Sequence, residues 1–168
     1  MVFRKSTLSD LDEIWAFVHA SIEKMISEKI FQWDDIYPTR ADFEADIKKG
    51  ELTVGVDEKS GKLMSIYVIN SDFDDAYKTA AWNYKGENFR ILHRIVVNPE
   101  FQNRGVGRET MLHIFDELKA GGVESLRLDV FSENPYSQRL YNKLGFVRCG
   151  EANWRKGLFY LLEKSLSE

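Results

Sequence analysis

Gly105 and Gly107 stand between an apolar run from Ile91 to Val97 and a helical pattern that opens at Gly107, and this junction constrains the fold more than any other stretch. It reads as strand, tight loop, helix. Glycine lets backbone approach a ligand closely, and the first N–H groups of a helix lack internal partners and carry partial positive charge. With Arg104 and Arg108 adding cations, Gln102 to Arg108 has the composition of a phosphate cradle. Two familiar phosphate motifs fit poorly. No Lys-Ser/Thr pair follows the glycines, which excludes a Walker A loop; Thr110 replaces the third glycine of the dinucleotide fingerprint, and too few residues follow for a doubly wound sheet.

Upstream, Val2 to Ser6 reads as a short strand. Leu11, Ile14, Trp15, Val18, Ile22, Met25 and Ile26 then recur with helical spacing behind a Thr7 or Ser9 cap. Pro38-Thr39 opens a second helix from Arg40 to Lys49, stopped by Gly50. Alternation at Leu52, Val54, Val56 and at Leu63, Ser65, Tyr67, Ile69 reads as a hairpin around Asp57 to Lys62. Asn70 to Asn88 is polar with aromatics interspersed, a long excursion or short helix of the kind that often carries function.

A strand from Phe89 to Val97 leads into the cradle, a helix runs from about Gly107 to Ala120, and Leu126, Leu128 and Val130 alternate as the next strand, which completes a β-α-β unit. Asn134-Pro135 supplies a cap and a first-turn proline for a helix that stops before Gly145. Strands near Phe146 to Glu151 and Leu158 to Glu163 close the chain.

At 168 residues the chain suits one domain, 1–168, with no visible linker, repeat or low-complexity tract. A net charge of −4 lacks the basic excess that nucleic-acid binding demands. One cysteine, Cys149, cannot form an internal disulfide, and no apolar run is long enough to span a membrane, so a cytoplasmic location is expected.

Four ordered elements carry a resemblance. Leu92-His93-Arg94-Ile95-Val96-Val97-Asn98-Pro99, then Gln102-x-x-Gly105-x-Gly107, then Asn134 with Tyr141 seven residues on, then Leu144-Gly145-Phe146, resemble motifs A and B of the GNAT superfamily of acyl-CoA-dependent N-acyltransferases. The resemblance implies an α/β (α+β) fold: a mixed, twisted central sheet of six to seven strands with helices on both faces and a splayed parallel strand pair holding coenzyme A. It implies acetyl transfer from acetyl-CoA, without a metal, to an amine. A small molecule is the expected acceptor, with a protein N-terminus or a non-catalytic acyl-CoA-binding role as alternatives; a monomer or homodimer is expected.

Residue by residue, the resemblance puts the pantetheine against Ile95, Val96 and Val97 and the pyrophosphate on Gln102, Asn103, Arg104, Gly105, Val106, Gly107 and Arg108. Asn134 and Ser137 sit at positions beside coenzyme A, although capping alone accounts for Asn134 equally well. Tyr141 lies two turns beyond Asn134 on the same helix face, and the resemblance makes it the general acid. His93 is the first candidate for the base, with Glu87 and Asp129 behind it; Asp129 also reads as a strand-end partner for an arginine. Trp33, Tyr37 and Trp82 are the candidate acceptor contacts, and loop anchoring explains both tryptophans as readily.

Overall fold

The computed structural model describes residues 1–167. Among the described residues seven strands run in the order β1-β2-β3-β4-β5-β7-β6, mostly antiparallel, with four α-helices. They are β1 (Val2–Lys5), β2 (Leu52–Val56), β3 (Leu63–Asn70), β4 (Phe89–Val97), β5 (Ser125–Phe131), β6 (Val147–Trp154) and β7 (Gly157–Ser165); the helices are α1 (Leu11–Ser27), α2 (Arg40–Lys48), α3 (Val106–Ala120) and α4 (Pro135–Lys143). Internal contacts divide the chain into two compact units. One comprises Met1–Ile69 with His93–Thr110, the other Asn70–Leu92 with Met111–Glu168, so β4 and α3 contribute residues to both.

In the first unit α1 and α2 each start where the sequence offers a capping group. The Asp10 carboxylate accepts the Thr7 N–H at 2.8 Å and is itself forked by Arg4, which begins a 3-10 turn at Leu8 that runs into α1. Asp42 does the same for Thr39 at 2.7 Å ahead of α2, and Gly50, at φ +71°, ends that segment. The helical stripe Leu11, Ile14, Phe17, Val18 and Ile22 packs with Phe43 and Ile47 of α2 on Val54, Ile66, Val68 and Val96. Fully burying one such side chain stabilises by about 1.5–3 kcal/mol before the entropy of ordering it. Ile26, placed on the stripe by spacing, is 43% exposed because it falls in the last turn of α1.

The second unit is organised around β5. This strand pairs antiparallel with β7 along its whole length, from Ser125↔Ser165 to Phe131↔Phe159, and β7 pairs in turn with β6. Both closing strands are longer than alternation in the sequence indicated, since each lends the other its ladder up to the turn at Arg155-Lys156. On the other edge, β5 pairs parallel with β4 only from Phe89↔Ser125 to Ile91↔Arg127; the ladder does not reach Leu92 and Leu128, although both strands continue.

The excursion Asn70–Asn88 is tied to this unit by charge. Glu163, 3% exposed, accepts from the Asn83 N–H at 2.7 Å, the Ser125 hydroxyl at 2.9 Å and Arg127 Nε at 3.3 Å. The Arg127 guanidinium lies between the rings of Trp82 and Phe89, 4.4 and 4.0 Å from their centroids. Removing one partner of such a buried pair costs about 3–5 kcal/mol, because the other charge stays behind unpaired.

Candidate active site

The loop between β4 and α3 is built in the first unit. Asn98, to which the sequence assigned no role of its own, is buried and anchors it: its side-chain amide donates to Leu63 O at 2.9 Å, its carbonyl oxygen accepts the Glu100 N–H, and its backbone N–H donates to Met64 O. Asn103 and Gly105 follow in the left-handed region at φ +61° and +79°. A Cβ added to Gly105 would meet nothing within 4 Å, so the glycine is required here for its backbone angle and leaves open space above the loop. Beyond it α3 starts at Val106, one residue earlier than the glycine pattern indicated, and presents first-turn N–H groups without intrahelical partners.

Arg104 and Arg108 are exposed, and Arg104 stacks 5.8 Å from the Phe101 ring centroid. Gln102 instead turns inward: its amide donates to Val97 O at 3.3 Å, and its oxygen accepts from Lys24 Nζ of α1, a third cation that the loop sequence gave no reason to suspect. Thr110, at the third position of a dinucleotide fingerprint, is fully buried and bonds Ser65 and Val106 O, each at 2.8 Å. Val96 packs into the core, whereas Ile95 and Val97 are half-buried.

Arg94 departs from strand geometry. Its φ of +43° lies in a region that costs a non-glycine residue about 1–2 kcal/mol. Nε and Nη2 donate to the two Asp46 oxygens at 2.7 Å each, and Nη1 donates to the Tyr37 hydroxyl at 2.7 Å. His93, its neighbour, is half-buried. Trp33 packs partly buried against the core, while Tyr37 is 41% exposed.

Titratable groups gather in the second unit. Asn134 caps α4, its oxygen accepting the Ser137 N–H at 3.2 Å, and Pro135 occupies the first turn. Two turns on, Tyr141 is 5% exposed, its ring edge-on to Phe146 at 5.4 Å. Burial and the nearby charge of Asp129 push its phenol well above the ordinary range, so the hydroxyl stays protonated. Asp129, half-buried on β5, has its carboxyl pushed up to about 6, chiefly by burial and with a lesser contribution from Asp74; the hydrogen bond from Tyr77 opposes the rise.

The partner of Asp129 is therefore a tyrosine and not an arginine: Tyr77 Oη donates to Oδ2 at 2.7 Å. Tyr77 lies in the 3-10 turn Asp75–Thr79, where Phe73 stacks on it at 6.2 Å and the Trp82 ring tilts against it at 5.4 Å. Trp82 is buried and its indole N–H donates to Tyr77 O at 2.7 Å, so both its edge and its Arg127-facing surface are engaged. Glu87 is exposed. Among the described residues, no group of His, Cys, Asp and Glu is arranged to hold a metal ion, and no helix is long and apolar enough to cross a membrane.

A profile of the acetyltransferase (GNAT) family matches residues 18–146. A stretch of 68 residues is 41% identical to the ribosomal protein bS18-alanine N-acetyltransferase of Salmonella typhimurium and covers 40% of this chain and 44% of that one; the match spans less than half the length of the curated relative. The L-methionine sulfoximine/L-methionine sulfone acetyltransferase of the same organism is 30% identical over 65 residues, 39% of this chain and 38% of that one. A GNAT-family acetyltransferase structure from Streptococcus agalactiae superposes with a TM-score of 0.82 at 24% identity over 98% of this chain and 94% of that one, a likeness of fold.

Proposed function

We propose that this chain, which belongs to the acetyltransferase (GNAT) family, moves an acetyl group from acetyl-CoA to a primary amine by direct attack. Two features of the structure suit that co-substrate. The open space over Gly105 admits a phosphate to the first turn of α3, and the short β4–β5 ladder leaves strand beyond Ile91 and Arg127 for amides such as those of pantetheine to pair with. Acetyl-CoA supplies the activated thioester. The remaining chemistry is two proton movements, out of the attacking amine and onto the departing thiolate.

The observation that carries the proposal is an acid and a base set apart by their surroundings: a phenol held protonated at Tyr141, and beside it a carboxyl at Asp129 whose value of about 6 leaves it ionised but basic at neutral pH. Asp129 takes the proton of the amine as the N–C bond forms, and Tyr141 gives its proton to the sulfur as the C–S bond breaks. Tyr77, bonded to Oδ2, fixes the carboxylate and leaves Oδ1 for the amine. His93 is the second candidate base, carried by the family resemblance. By the family resemblance the loop Gln102–Arg108 takes the pyrophosphate, and Ile95, Val96, Val97, Asn134 and Ser137 take the pantetheine.

A small-molecule amine is the first acceptor reading, supported by the Phe73 and Trp82 rings packed on the tyrosine that bonds Asp129 and by the methionine sulfone acetyltransferase among the relatives. Trp33 and Tyr37 are proposed to contact it. A protein N-terminus is the second, favoured by the bS18-alanine acetyltransferases. Thiol release from acetyl-CoA, measured against a panel of amines, amino acids and alanine-initiated peptides, separates them. A chain that neither binds acetyl-CoA nor releases thiol with any of these refutes the proposal.

A further inference from the structure

The 3-10 turn Asp75–Thr79 and its cap Asp74 bring two groups of opposite electrical effect to Asp129, within the same compact unit as that carboxylate. Tyr77 Oη donates to Oδ2 at 2.7 Å. The ring behind this hydroxyl is buried, and the Tyr77 carbonyl accepts the Trp82 indole N–H at 2.7 Å. Burial and the charge of Asp129 push the Tyr77 phenol far above the ordinary range, so it remains a donor. Asp74 contributes a negative charge instead. Its Oδ1 accepts the Ala76 N–H at 2.9 Å, which caps the turn, and the Trp154 indole N–H at 3.3 Å, which ties the turn to β6. Lys78, the cation of the turn, is taken by Asp75 at 2.8 Å. The other neighbours of Asp129 differ in kind: α4 brings the protonated phenol of Tyr141, β7 places Leu161 opposite, and Arg127, where the β4 ladder ends, is bound to Glu163. A hydrogen bond donated to an ionised carboxylate favours that form, whereas a like charge disfavours it. Tyr77 and Asp74 therefore act on one proton in opposite directions.

We propose that Tyr77 and Asp74 are positioning residues that set the pH at which Asp129 takes the proton of the amine: the phenol holds the carboxylate ionised and aimed, the Asp74 charge keeps it basic, and neither touches substrate or acetyl-CoA. This rests on Asp129 acting as the base in the reading above. Merely structural roles predict lost stability with an unmoved pH profile.

The test compares Tyr77→Phe and Asp74→Asn with the wild type. An asparagine still accepts the Ala76 and Trp154 N–H groups, so the second substitution removes charge and keeps the cap. Two pH profiles are read. One is the carbon-13 carboxyl titration of Asp129 by NMR, its resonance identified by its loss in Asp129→Asn; the other is kcat/KM for thiol release from acetyl-CoA, with L-methionine sulfone and an alanine-initiated hexapeptide as acceptors. The acceptor's own titration is common to all three proteins, so differences between them belong to the protein. In Tyr77→Phe both midpoints are expected to rise by about one pH unit, with a lower kcat/KM plateau because Oδ1 is no longer aimed. In Asp74→Asn both should fall by about half a unit with the plateau within about twofold. Asp74 is exposed, so its effect should vanish in about 1 M NaCl, while that of the buried Tyr77 bond persists. A carboxyl midpoint unmoved in either variant, or moved in the same direction in both, overturns this inference alone. Carboxyl midpoints that shift while the kcat/KM profiles stay in place remove Asp129 as the base and this inference with it, and a wild-type chain that turns over neither acceptor overturns both as well. If Tyr77→Phe does not fold, Asp74→Asn decides: a downward shift abolished by salt supports the proposal, and an unmoved or salt-independent midpoint refutes it.

Discussion

In the proposed mechanism Asp129 and Tyr141 take opposite tasks, base and acid, from surroundings that raise the proton affinity of each. Removing only the hydroxyl in Tyr141→Phe is expected to lower kcat by on the order of 10² while leaving the acetyl-CoA Kd unchanged, measured by single-turnover thiol release and titration calorimetry. Asp129 makes a paired prediction of activity and stability. Its folded value of about 6 exceeds the ordinary 3.8, so the folded state binds the proton more tightly; its contribution to stability is complete below about pH 3.8 and is lost as pH rises through 6. Asp129→Asn should therefore abolish most turnover yet raise Tm at pH 8, by up to about 3 kcal/mol of stability, with a smaller gain at pH 4.5. In the wild type, kcat/KM should fall on the acid side with a midpoint near 6. The placement of Tyr141 was legible, because seven residues separate it from a capping Asn on one short helix, α4. The bond that Tyr77 donates to Asp129 was not legible, since the two residues lie 52 positions apart and burial leaves no local trace.

Elements with their own punctuation were readable; those shaped by a distant partner were not. Thr7, Thr39 and Asn134 each announced a helix start, and the alternation of β2 and β3 gave the hairpin with its turn. The left-handed residue inside β4 was invisible, because nothing in Leu-His-Arg-Ile distinguishes a regular strand from one bent by an ion pair to α2. Two substitutions test the elements around the proposed cofactor site. Asn134→Ala removes the cap of α4 and should cost about 1 kcal/mol, seen as a lower denaturant midpoint with an unchanged m-value. Gly105→Ala meets no protein atom, so its effect on stability should be the roughly 1 kcal/mol of left-handed strain, while its methyl occupies the space over the loop and weakens acetyl-CoA binding. Full acetyl-CoA affinity in that variant would remove the loop from the site.

At the scale of the whole molecule, the single domain expected from length has two compact units that share a strand and a helix, and we propose that they unfold together. Calorimetry should then give one transition, raised by about 2.7 kcal/mol at a hundredfold excess of acetyl-CoA over its Kd and not by NAD. Two transitions would refute the proposal. The same threading has a consequence for how the protein is made. The chain leaves its first unit at Ile69, contributes Asn70–Leu92 to the second, and returns at His93 to finish the first at Thr110. On a ribosome the α1–α2 core must therefore wait for the strand that covers it. At about 5–20 residues per second the 41 residues from Asn70 to Thr110 take roughly 2–8 s, during which Val54, Ile66 and Val68 lack the contact that Val96 later makes. Nascent chains arrested just after Ile69 has cleared the exit tunnel should be cut readily by protease, and those arrested after Thr110 has cleared it should resist.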